Sequence, residues 1–142
     1  MAIIVERSHS IGIHPVQGAL LAGLVTLFLG ALLTDIAYAK TYEIQWSNFA
    51  SWLLVGGLVI GAVALVWAVV DLVRYDRRAG RDWVHALVVL ATWVTGLFAA
   101  LVHGKDAWAM MPGGLVLSAI ATVLALIATW IGFSRRRVEV TP

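Results

Sequence analysis

Residues 49–73 read FASWLLVGGLVIGAVALVWAVVDLV and carry one charge, Asp71, near their end. A helix rising about 1.5 Å per residue needs roughly 20 mostly apolar residues to cross a bilayer core of about 30 Å. This run is long enough, and three similar runs surround it. Spans are therefore predicted at about 16–39, 49–73, 83–102 and 113–133. The chain is 61% hydrophobic and 13% charged over 142 residues. A soluble fold of that size has no interior able to hide so much apolar surface. The connections are too short for a separate soluble unit. One integral membrane domain over residues 1–142 is expected, all-α, a four-helix transmembrane bundle with both termini cytoplasmic.

The arginines set that orientation. Arg7 precedes the first span, Arg74, Arg77, Arg78 and Arg81 lie between the second and third, and Arg135, Arg136 and Arg137 follow the fourth. Four spans put these regions on one side and leave Lys40 and Lys105 on the other. A bias of this kind marks the cytoplasmic side. Topology accounts for the arginines, so neither nucleic acid nor a specific anionic lipid is invoked. Cysteine is absent, which excludes disulfides, thiolate metal sites, iron–sulfur clusters and covalently attached c-type haem. Ala37-Tyr38-Ala39 imitates a signal-peptide cleavage site. It is not read as one, because the preceding apolar run is longer than a signal core and Asp35 directly precedes it.

Connections are expected at 40–48, 74–82 and 103–112, with a mobile tail after residue 133. Trp46, Trp52, Trp83, Trp108 and Trp130 fall where an aromatic belt meets the headgroups. Trp93, at mid-span, reads as a packing residue. Helices in lipid associate through small residues and polar contacts, and helical spacing predicts where. His14, Gln17, Leu21, Leu24, Phe28, Ala31 and Asp35 share one face of span one. Gly57, Gly61, Ala64, Ala68 and Asp71 share one of span two, and His85, Val89, Thr92, Gly96, Ala99 and His103 one of span three. Ser118, Ala121, Ala125, Ala128 and Gly132 repeat the small-residue pattern in span four. Two polar clusters follow. His14, Gln17, Asp71 and His85 lie toward the cytoplasmic side, and Asp35, Tyr38 and His103 toward the opposite one.

The order GIHPV, TDIAYAKT, ASWLLVGGLVIGAVALVWAVVDLV, a basic loop and WVHALV resembles the bacterial membrane-protein family catalogued as domain of unknown function twenty-two thirty-one. The resemblance covers about residues 12–105 and rests on His14-Pro15, Asp35 with Tyr38, Asp71 closing span two and His85 opening span three. Many members have a second His-Pro copy upstream and an asparagine-rich third span; this chain has neither. The resemblance implies a four-helix domain of the bacterial inner membrane. Some members are joined to or near c-type cytochrome modules, which implies electron transfer with such a partner.

Three functions are weighed. In the first, His14 and His85 are axial ligands of a haem b or metal between spans one and three, since two imidazoles on separate helices can hold haem iron. Gly57, Gly61 and Gly96 would make room, and Asp71 or Gln17 would accept a hydrogen bond from a ring nitrogen and fix its tautomer. In the second, the chain is a non-catalytic accessory or assembly subunit, alone or as an oligomer. In the third, the ionisable residues line a proton or small-solute path, although Leu, Phe, Ala and Gly interrupt it at mid-span. His103, Asp106, Met110 and Met111 form a weaker copper pattern. Ser51 and Ser118 have no histidine nearby on their own helices, and no hydrolase, kinase or protease is expected.

Overall fold

The computed structural model describes residues 9–11, 13–74, 80–105, 107–134 and 137–139. Four long helices carry the fold: α1 (Pro15–Thr41), α2 (Ile44–Arg74), α3 (Gly80–His103) and α5 (Gly113–Phe133). All four are long and apolar enough to cross a membrane. A one-turn helix, α4 (Ala107–Met110), links α3 to α5. Two short strands, β1 (His9–Ile11) and β2 (Arg137–Glu139), pair antiparallel with Ser10 opposite Val138. Residues 9–11 and 137–139 therefore meet at one end of the bundle. That pairing replaces the mobile tail expected over residues 137–139, because each strand satisfies the other's backbone groups. Arg7, Arg77, Arg78, Arg135, Arg136 and Asp106 lie outside the described residues.

The helices pack as a square. α1 lies along α2 and α5, and α3 lies along the same two, so α1 and α3 face each other across the diagonal. The connection between α1 and α2 is shorter than expected. Only Tyr42 and Glu43 separate the helices, and most of the supposed loop 40–48 is helical. Tyr42 turns the chain with φ 57°, and its N–H closes α1 on the Tyr38 carbonyl at 2.8 Å. Ser47 and Ala50 begin the buried face of α2, which continues through Leu54, Gly57, Gly61, Ala64 and Ala68. The periodicity thus starts earlier than the apolar run, because a helix in contact with a neighbour tolerates polar residues on its other sides.

The predicted faces turn inward as expected, save at their ends near β1 and β2, where His14 is exposed and Asp71 half-buried. Phe28 holds the centre. A Cβ added at Gly57 would lie 2.7 Å from its Cδ1, and one at Gly96 2.6 Å from its Cζ. The ring of α1 is therefore seated in glycine sockets on both α2 and α3. Gly23 and Gly30, on another side of α1, receive Ile60 and Leu53 of α2. Trp93, half-buried in the seam, donates its indole N–H to the Leu58 carbonyl at 3.0 Å. Trp46, Trp52, Trp83, Trp108 and Trp130 are all exposed.

Candidate functional site: a buried aspartate, histidine and serine

At the α4 end, three helices each deliver one polar side chain to the bundle axis. Asp35 comes from α1, two turns before its end. His103 is the last residue of α3, and Ser118 lies in the second turn of α5. His103 Nε2 is 2.8 Å from Asp35 Oδ1. Ser118 Oγ donates to Asp35 Oδ2 at 2.6 Å. His103 Nδ1 is 2.7 Å from the Ala99 carbonyl, one turn back on its own helix. Asp35 and Ser118 are fully buried, and His103 nearly so.

The hydrogen-bond chemistry fixes the proton count. A carbonyl only accepts, so His103 Nδ1 carries a hydrogen and donates it to Ala99. The short contact between Nε2 and Oδ1 then needs one further proton. It sits on Nε2, giving imidazolium and carboxylate, or on Oδ1, giving imidazole and carboxylic acid. In both cases the pair is neutral overall. That matters in hydrocarbon, where an isolated ionised carboxylate costs far more than a hydrogen-bonded neutral pair.

The neighbours seal this centre. Met110 of α4 is fully buried, and a Cβ at Gly114 would meet both His103 Cε1 and Met110 Cγ at 2.9 Å. Gly114 thus lets α5 pass close under both side chains. Ser47 of α2 lies against Met110, with Oγ 3.4 Å from Sδ. Tyr38 is buried one turn beyond Asp35, its ring edge-on to Tyr42 at 6.3 Å. Its hydroxyl is not a partner of the pair. Tyr42 in turn stacks on Trp108 of α4 at 5.8 Å. Toward mid-membrane, Thr122 donates to the Ser118 and Phe28 carbonyls at 2.7 and 3.0 Å, and Phe28 closes the interior.

The arrangement joins Asp35 to His103, as their depth suggested, and adds Ser118. Sequence reasoning sought a histidine on the helix of each serine and so passed over Ser118. Its depth in span four was the available signal. This is not a nucleophilic triad. In a triad the histidine takes the serine proton. Here the aspartate stands between them, and both imidazole nitrogens are engaged. Met110 packs inward against Ser47 and Gly114, and among the described residues no group of three His, Asp or Glu side chains could hold a metal.

The residues at the other end differ in burial. His14 is exposed. Its Nδ1 accepts the Val16 N–H at 3.3 Å, capping α1, and its ring lies 5.0 Å from that of Trp67. His85 is fully buried on α3, close to α5, where a Cβ at Gly132 would come 3.2 Å from its Nε2. Gln17 is buried, and its Nε2 has no hydrogen-bond partner among the described residues. Asp71 is half-buried. The room that a macrocycle needs beside Gly57 and Gly96 is taken by Phe28, and that beside Gly61 by Leu24 and Trp93. As packed, His14 and His85 do not fit a shared haem.

Residues 10–138 match the family described as predicted membrane protein (DUF2231). The chain belongs to this family. The match extends well past the residues that carried the resemblance and includes Ser118. No curated protein and no solved structure matches the chain.

Proposed function

We propose that this family member is a multi-pass protein of the bacterial inner membrane, both termini in the cytoplasm, that serves as a non-catalytic subunit. Its bundle is a rigid scaffold against which other membrane components assemble. The observation that carries this reading is the filled interior at mid-membrane. Phe28 is seated in α2 and α3, and fully buried Leu24, Leu21 and Val89 lie on its terminal side. No continuous polar row crosses that layer. Thr92 donates to Val88 and Thr26 to Ala22, each within its own helix, as isolated membrane threonines do. The arginine bias supports the orientation, since Arg74 ends α2 and Arg81 stands in the first turn of α3, both at the β1–β2 end. An electron-transfer role beside a c-type cytochrome has the resemblance behind it and no help from the packing.

Purification in mild detergent tests the reading. The chain is expected at constant stoichiometry with one larger membrane complex, and a chain that purifies alone refutes the subunit role. After dithionite reduction, protein from haem-replete cells should show no Soret band. A band abolished by His85→Ala would restore the haem reading. Reporter fusions at the C-terminus should be active only in the cytoplasm.

A further inference from the structure

The centre at the α4 end has a property that a scaffold does not need. The contact between His103 Nε2 and Asp35 Oδ1 and the neutrality of the pair depend on one proton. We propose that Asp35 and His103 form a proton-binding site that exchanges a single hydrogen ion with the aqueous phase at the α4 end and thereby couples α1 to α3.

When the shared proton leaves for water, Nε2 and Oδ1 face each other with lone pairs at 2.8 Å and the pair carries one negative charge. Neither survives in a buried contact, so the two groups separate. When a proton returns, the neutral contact re-forms. The bond spans the diagonal of the square, where α1 and α3 also meet through Phe28 against Gly96. Its opening therefore changes how α1 and α3 are held. No other buried formal charge among the described residues competes at this end. On α1, Tyr38 is buried and Lys40 exposed; Glu43 before α2 and Lys105 after α3 are exposed. The buried face of α2 here is Ser47, Ala50 and Leu54, and α5 has no titratable side chain.

The direction of exchange follows from the packing. Toward the β1–β2 end stand Phe28, Leu24, Leu21 and Val89, all apolar and buried. Toward the α4 end, His103 is followed at once by exposed Gly104 and Lys105. Its cover is Met110, an unbranched and adaptable side chain on a single helical turn.

The full chain in lipid nanodiscs, labelled with 15N-histidine, tests this by titration over the pH range in which it stays folded. The His103 nitrogen resonances and the Asp35 carboxyl infrared band should change together at one midpoint. Ser118→Ala, which keeps the pair and removes one hydrogen bond to Oδ2, should move that common midpoint. Resonances and band that never change, that change at separate midpoints, or that ignore Ser118→Ala would overturn the proposal. These outcomes are independent of copurification, so the scaffold role and the proton site fail separately.

Discussion

Gly57→Ala and Gly96→Ala should each destabilise the bundle by about 2 kcal/mol, within the range of roughly 1–3 kcal/mol typical of overpacking. The added Cβ at Gly57 would stand 2.7 Å from Phe28 Cδ1, and that at Gly96 2.6 Å from Phe28 Cζ. Carbon atoms pack at about 3.5–4.0 Å, so each new methyl requires the ring to retreat by roughly 1 Å. The ring cannot retreat freely, since the opposite socket already holds it. α1 must instead draw away from α2 or α3. A gap of about 0.5–1 Å forfeits a quarter to a half of each dispersion contact along the seam. Gly23→Ala is the control. Its Cβ would meet Ile60 Cδ1 at 3.5 Å, an ordinary contact, so stability should hold or rise slightly through better helix propensity. Reversible unfolding in mixed micelles, followed by near-ultraviolet circular dichroism, measures all three. Phe28→Leu in the Gly57→Ala background should recover about 1 kcal/mol relative to additivity, as expected for groups in contact. Gly57→Ala as stable as Gly23→Ala, or no coupling to Phe28, would refute the socket argument.

The buried pair makes a second test. Asp35→Leu and His103→Leu should each cost about 3–5 kcal/mol, because each leaves a buried polar partner uncompensated. The double substitution should cost less than either alone in the same unfolding assay, since neither ionisable group is then left unpaired and only the Ser118 hydroxyl loses its acceptor. Gly114→Ala should displace the imidazole, because its Cβ would lie 2.9 Å from His103 Cε1; the 15N spectrum should report loss of the Nε2 hydrogen bond. His14→Ala removes an exposed cap on Val16 and a ring contact with Trp67 and should cost about 1 kcal/mol by thermal unfolding.

Much of the fold was legible in advance because its causes are local. The inward face of α3 was read residue by residue from His85 to His103, and helical spacing alone places those side chains together. The start of α2 was not, because Ser47 and Trp46 are polar or amphipathic and hydropathy discounts them. They join the helix through contact with Met110 and the bundle surface. The proposed pairing of His14 with His85 rested on depth alone. Equal depth on two helices says nothing of rotation, and His14 sits at the N-cap, outside the helical face that continues from Gln17. Asp35 and His103 shared depth too, but both lie within regular helix and on buried faces.

Composition and period by themselves determined the solvent, the number of spans and the side of each helix that avoids lipid, since those depend on counting apolar residues along a 3.6-residue repeat. The square arrangement and the meeting of Asp35 with a histidine 68 residues away belong to the tertiary structure. Helix rotation and height are set by how Phe28 fits Gly57 and Gly96, and that fit exists only once three helices are together.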